Sequence, residues 1–302
     1  MKKTLITRRV AILAAASLSF LAACGGSSGD TSKAADTTVA ASPGNGKKIL
    51  SLSPTATEML YAIGAGDQVV AVDSLSNYPA EASDKVTKIS AFEPNAEAIL
   101  AYNPDIVLIS NDMNKITEQL KTANPTITVW TGAMAGTLDD VYAQITDLGA
   151  VTGHDSEAAA LVTKMKADIA SATEGVTAPE GASYYYELDN TYYSLTSNTF
   201  VGSLLKSTGI VNIADGVQAG NDWPQLNAES IIKSNPSIVF LADTKCCRQD
   251  AKAVSARAGW NGIDAVKNAR VVALDDDIAS RWGPRIVDLV KQMVAAVASL
   301  GK

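Results

Sequence analysis

The chain is short of the residues that most often do chemistry. It has one histidine, His154, and three cysteines in 302 residues. Away from His154 there is no second imidazole from which a Ser-His-Asp or Cys-His pair could be built. His154 itself stands beside a predicted helix start, where a capping or surface role is expected. A site for bare zinc or manganese needs several imidazoles, so no metal ligands and no cofactor are assigned. Positive charge is scarce too: 25 Lys and Arg against 32 Asp and Glu give a formal net charge of −7, which excludes a nucleic-acid footprint. Gly64-Ala65-Gly66 lacks a third glycine and follows a helix, so it is no dinucleotide fingerprint. Beyond the N-terminus there is no apolar run of eighteen residues, and no membrane span is expected in the mature chain. These absences point away from an enzyme.

The N-terminus reads as an export signal over residues 1–23. Lys2, Lys3, Arg8 and Arg9 form a basic region, Val10 to Ala23 an apolar one, and small residues lead to Cys24. Leu21-Ala22-Ala23-Cys24 resembles a bacterial lipobox, which makes Cys24 the expected lipidated first residue of the mature chain; an ordinary signal peptide is the alternative. Arg8-Arg9 leaves both the general and the twin-arginine export routes open. Residues 24–46 are, after Cys24, mainly Gly, Ser, Thr, Ala and Asp without periodicity, a tether with a reach of roughly 25 Å. An anchor and such a tether would hold a soluble, monomeric body beside a membrane outside the cytoplasm.

The chain uses one stretch twice. Asn95–Ser110 reads NAEAILAYNPDIVLIS and Asn227–Ala242 reads NAESIIKSNPSIVFLA. Each copy predicts a short helix with an Asn cap and an acidic first turn, stopped at Asn-Pro and followed by an uninterrupted apolar strand. Such a strand suits a parallel sheet covered on both faces. The separation is too large for a solenoid, so the repeat predicts two similar α/β lobes.

The lobes are placed at 47–150 and 179–302, around a connecting helix over 151–178. In the first, strands are expected at Ile49–Leu52, Val69–Val72, the repeat and Thr126–Trp130, with helices between them. Leu161, Met165 and Ile169 form one stripe of a helical stretch from Asp155 to about Thr173, roughly 28 Å long. In the second lobe, strands are expected at Tyr184–Leu188, Val211–Ile213, the repeat and Val271–Leu274. Pro284 is expected to open a closing helix with Ile286, Leu289, Val290, Met293 and Val297 along its apolar face.

Ligands of open α/β sheets bind beyond the carboxyl ends of the strands. The loops there carry Pro54, Tyr78, Phe92, Asn190, Tyr192, Trp223, Arg281 and Trp282, a set that suits a bulky, flat or apolar ligand held between the lobes. Trp130, at a strand end, is expected in the core. Cys246-Cys247 raises a vicinal disulfide, because idle thiols outside the cytoplasm tend to oxidise. Contact with ligand and thiolate ligation of a metal are the other readings.

ILSLSPTATEMLYAIGAGDQVVAV, SNYP, the repeat with NPDIVLIS, YYELDN, WPQLNAESI and RWGPRIVDLV, taken in order, resemble periplasmic binding proteins of the ferric-siderophore and cobalamin uptake type. These are capture subunits of ATP-driven importers, and the resemblance runs from about Lys47 to the C-terminus. It implies two Rossmann-like lobes joined by one long helix, with limited closure on a metal chelate. Partners implied are the chelate, a corrinoid or a ferric siderophore, and an ABC permease dimer with its ATPase. Pro54, Phe92 and Trp223 match places that line the corrin pocket in cobalamin-binding members. Leu75, with Tyr78 nearby, replaces their aromatic in the second-strand loop, and Asp275–Trp282 departs from their pattern. Glu97 and Glu229 match the two glutamates, one per lobe, that dock on the permease; a plain helix-start preference is the alternative. Arg281 is the candidate to meet an anionic ligand, and Arg285 is expected to hold its own lobe together. A lipoprotein adhesin or sensor is the rival outside transport.

Overall fold

Strand β1 (Ile49–Leu52) is buried at every position, as an apolar run between two helical layers must be. It belongs to a computed structural model that describes residues 46–302. The export signal, Cys24 and residues 24–45 of the expected tether lie outside the described residues. After β1 come α1 (Pro54–Ala62), β2 (Val69–Val72), α2 (Ala80–Ser83), α3 (Ala96–Leu100), β3 (Ile106–Ile109), α4 (Ile116–Ala123) and β4 (Thr128–Thr131). Helices α5 (Leu138–Thr152) and α6 (Asp155–Thr173) follow. The second half holds β5 (Ser183–Glu187), α7 (Phe200–Ser203), β6 (Val211–Asn212), α8 (Ala228–Ser234) and β7 (Ile238–Leu241). It ends with α9 (Ala251–Ser255), α10 (Asp264–Lys267), β8 (Val271–Ala273), α11 (Asp276–Ala279) and α12 (Ile286–Ala298).

The strands make two all-parallel sheets, ordered β2-β1-β3-β4 and β6-β5-β7-β8, so the two lobes share one topology. The repeated stretch supplies the same third strand of each sheet. Its identities have local causes. Asn95 and Asn227 cap their helices, each accepting from a backbone amide at 2.9 Å. Asn103 and Asn235 take positive φ, 49° and 45°, which Asn tolerates better than other side-chain-bearing residues. Helix α8 therefore stops at Asn235 in the left-handed region, and the turn that follows α3 ends at the matching Asn103, each one residue before the proline.

Alternate strand residues feed two faces. Ile106, Leu108, Ile238 and Phe240 enter one large core cluster shared by both sheets and by α5, α6 and α12. Val107 and Ile109 enter a cluster private to the first lobe, Val239 and Leu241 one private to the second. Trp130 is buried in the shared core, as its strand-end position suggested. The crossing of α5 on α6 is tight: a Cβ at Gly149 would lie 2.5 Å from that of Ala158.

Some elements differ from expectation at their ends. The helix expected from Thr199 is the short α7 followed by a 3-10 turn at Lys206–Thr208. Helix α12 starts at Ile286 rather than at Pro284, with Arg285 as its N-cap. His154 does take the N-cap position of α6, without a side-chain cap bond, but it is buried rather than at the surface, its Nε2 lying 3.2 Å from the Gly64 carbonyl, because the α5–α6 corner packs onto the end of α1.

Candidate functional site

Two neighbouring cavities open at the carboxyl ends of the strands. The first, about 380 Å³, is walled by Pro54, Leu75, Phe92, Asn111 and Met113 of the first lobe. The second, about 320 Å³, is walled by Met134, Leu188, Phe200 and Trp223. Ser280, Arg281 and Trp282 line both, forming a wall between them.

Local bonding presents the apolar side chains. Ser53 caps α1, accepting from the Ala56 amide at 3.2 Å, and Pro54 follows at the first helical position. A buried chain of polar groups fixes the β2 loop: Ser76 Oγ donates to Asp73 Oδ1 at 2.5 Å and lies 3.1 Å from Thr57 Oγ1, which donates to Ser51 Oγ at 2.9 Å. Burial raises the Asp73 carboxyl above its ordinary range against these bonds. So held, the loop turns Leu75 outward. Ser90 Oγ accepts from the Phe92 and Glu93 amides at 3.2 and 3.1 Å, and Phe92 stands 65% exposed. In the second lobe Asn221 Oδ1 accepts from the Trp223 amide at 2.9 Å, leaving Trp223 49% exposed. Single exposed apolar residues are ordinary, but rings gathered from both lobes at one cleft mark a binding surface.

The dividing wall is locked rather than open. Arg281 Nη1 meets Asn77 Oδ1 at 2.8 Å and Glu58 Oε1 at 3.3 Å; Nη2 meets Asp277 Oδ1 at 3.0 Å and the Leu75 carbonyl at 3.1 Å. Both of its terminal nitrogens are thus engaged, three of the four bonds reaching across the cleft, and it is not the uncommitted cation that an anionic ligand would need. Arg285 grips the same buried Glu58 through Nε at 2.9 Å and through Nη2, and its guanidinium lies 3.9 Å from the centre of the Tyr78 ring. Instead of holding only its own lobe, Arg285 ties the lobes together. The Glu58 bond raises its already high pKa further. Trp282 Nε1 donates to Gln144 Oε1 at 3.3 Å. Among the described residues no group of three or more His, Cys, Asp or Glu could hold a metal ion. The arrangement can enclose an apolar or aromatic body between exposed rings, and it aligns no nucleophile with a base.

A family model of the periplasmic binding proteins matches residues 49–278. The chain belongs to the periplasmic binding protein family. Its relatives include a Bacillus subtilis protein named as an uncharacterized ABC transporter substrate-binding lipoprotein, 33% identical over 83% of this chain and 80% of the relative. A Halobacterium salinarum protein named cobalamin-binding protein is 29% identical over 83% of this chain and 69% of its own length. Among solved structures, a periplasmic vitamin B12 binding protein of Vibrio cholerae superposes with a TM-score of 0.67 at 26% identity, covering 85% of this chain and 98% of that one. The family is one of solute-binding transport proteins, not a class of enzymes. The two-lobed α/β architecture expected from the repeat is the one found.

Within this periplasmic binding protein the sequence candidates part company. Pro54, Phe92, Trp223, Arg281 and Trp282 gather at the two cavities. Tyr78, Asn190 and Tyr192 do not. Tyr78 faces a third depression with Tyr61 and Arg285, drawn there by the guanidinium over its ring. Tyr192 stacks on Trp260, ring centres 5.9 Å apart, while Arg257 lies over both rings; Asn190 is exposed beside it and lines neither cavity. Cys246 and Cys247 line neither cavity. Glu97 and Glu229 are exposed at matching positions of α3 and α8, and neither has an ion-pair partner among the described residues. Glu58, Met113 and Met134 escaped the sequence reading. An acid amid the apolar positions of α1 was the one available signal for Glu58; nothing local marks the methionines.

Proposed function

We propose that this chain is the lipid-anchored, monomeric capture subunit of an ABC importer, taking up a corrinoid between its lobes and carrying it to the permease. The observation that carries this reading is the cleft itself: Phe92 and Leu75 from one lobe, Trp223 and Trp282 from the other, with Arg281 committed to interlobe bonds. Exposed rings suit a flat macrocycle whose metal is already wrapped. A strongly anionic ferric chelate would want a free guanidinium, and the one nearest the cleft has its donors engaged. The names of two relatives, cobalamin-binding and vitamin B12 binding, point the same way. Cys24 would carry the lipid, in keeping with the lipobox and with the Bacillus relative's name. Glu97 and Glu229, one per lobe at equivalent helix starts, would grip a two-fold permease, and charge reversal at both should abolish uptake while ligand affinity stays unchanged.

Tryptophan-fluorescence titration tests the ligand. Cyanocobalamin should give saturable quenching at micromolar concentration or below, weakened at least about tenfold in Trp223→Ala, a loss of roughly 1.4 kcal/mol. Saturation by ferric hydroxamates or catecholates instead would replace the corrinoid with a siderophore. Silence with every chelate, the protein being folded, would refute the cleft as the ligand site.

A further inference from the structure

Cys246 and Cys247 follow β7 in a loop that the ligand cleft does not use. Both are free thiols, their Sγ atoms lie 2.8 Å apart, and Cys246 is exposed. The loop is held from one side by a single carboxylate. Asp276 accepts from the backbone amides of Thr244 at 2.8 Å, Lys245 at 2.9 Å and Cys246 at 2.9 Å, and from the Thr244 hydroxyl at 2.7 Å. These bonds hold the Asp276 carboxyl below its usual range. Lys245 Nζ spans Asp275 and Asp277 at 2.7 and 2.8 Å. Asp277 in turn binds Arg281, whose other donors reach Glu58, Asn77 and the Leu75 carbonyl. An unbroken series of polar contacts therefore joins the thiol pair to the wall between the two cavities.

We propose that Cys246 and Cys247 are a redox modification site, closing reversibly into a vicinal disulfide, and that closure shifts the Ser280–Trp282 wall through Asp276 and Asp277. Adjacent Cα atoms stand about 3.8 Å apart across a trans peptide, below the roughly 4.4 Å of ordinary bridges, so the backbone at Cys246 has to move when the ring closes. That backbone is the one Asp276 holds. A carboxylate shared among three amides cannot follow one of them without turning the start of α11, whose end at Ala279 leads directly through Ser280 into Arg281 and Trp282.

The chemistry is exchange with an external disulfide, small or protein-borne, of the kind found outside the cytoplasm. One cysteine sulfur attacks that disulfide as a thiolate and releases one thiol. Its neighbour then attacks the protein-bound sulfur, the Sγ–Sγ bond forms, and the second thiol leaves. The pair gives up two electrons and two protons, and the external disulfide is reduced to two thiols. Desolvation and the adjacent sulfur raise the Cys246 thiol above its ordinary range.

The test needs no transport ligand, so its failure is separate from that of the corrinoid reading. The full chain carrying Cys24→Ser is equilibrated with glutathione redox buffers, then read by intact mass, alkylation and hydrogen exchange. Expected are the loss of two hydrogens in a monomer, protection of both thiols, and a change of about threefold or more in exchange over residues 275–282 as well as 244–249. Cys247→Ser should remove every effect. Asp276→Asn should still form the bridge but confine the exchange change to 244–249; if that variant does not fold, Asp277→Asn takes its place. Mixed disulfides, intermolecular dimers or unreacted thiols would overturn the site. A bridge with no change over 275–282 would overturn the coupling.

Discussion

At the scale of single residues, the buried carboxyls set the terms. Glu58 is 3% exposed and shared by two guanidiniums from the other lobe. Removing one partner of a buried ion pair leaves the others uncompensated, so Glu58→Ala should lower stability by about 3–5 kcal/mol in denaturant unfolding. Asp243 is a different case. It is fully buried beside Glu187, neither of its carboxylate oxygens has a hydrogen-bond partner among the described residues, and burial with the Glu187 charge pushes it up to about 7. Arg257 is already committed to Glu187 through two bonds of 2.6 Å. With a folded pKa above the unfolded one, near 4, the native state binds a proton that the unfolded chain releases. The stabilisation from Asp243 is therefore complete below about pH 4 and is lost as pH climbs to about 7. Asp243→Asn should flatten the fall of Tm between about pH 4 and about pH 7; an unchanged slope would show that Asp243 does not titrate there.

At the scale of elements, caps and close crossings decide. Asn95→Ala and Asn227→Ala should each cost about 1 kcal/mol, and the double variant about the sum, because the two caps lie in different lobes and share no partner. Gly149 offers a sharper contest. Ala is a better helix former than Gly by about 1 kcal/mol, but a Cβ there would sit 2.5 Å from the Ala158 Cβ and 3.1 Å from the His154 carbonyl. Neither neighbour is a flexible side-chain tip, so α5 and α6 must separate. Overpacking should win, and Gly149→Ala should be destabilised by about 1–3 kcal/mol in chemical denaturation. The elements themselves were legible because their signals are local. Asn-capped starts, left-handed stops and continuous apolar strands lie within a few residues of one another, and the repeat states them twice. Element ends were read less well, as at α7 and α12, where tertiary contacts shorten or shift a helix that its own sequence would extend.

At the scale of the molecule, the lobes are two by topology but not by core. Ile49 and Met59 of the first sheet's half share one apolar cluster with Tyr184 and Val297 of the second, through α5, α6 and α12. Calorimetry should accordingly give a single cooperative transition, with calorimetric and van't Hoff enthalpies in agreement; two resolved transitions would mean the lobes unfold separately. The same continuity, with the Glu58 clamp, favours a largely preformed cleft over wide hinge motion.

By itself the sequence determined the class of element at each stretch, the duplication, and hence two similar lobes with parallel sheets. It also showed which loops end the strands. It did not determine which loop side chains meet. Phe92 and Trp223 turn into the cleft, while Tyr78 and Tyr192, just as aromatic and just as loop-borne, are drawn away by Arg285 and by Arg257 with Trp260. Arg281 looked like a free cation until its partners, Glu58 and Asn77, arrived from 223 and 204 positions away. Periodicity, caps and turns are short-range and can be read along the chain. The occupancy of a donor or the stacking of a ring depends on groups that only folding brings within a few ångströms.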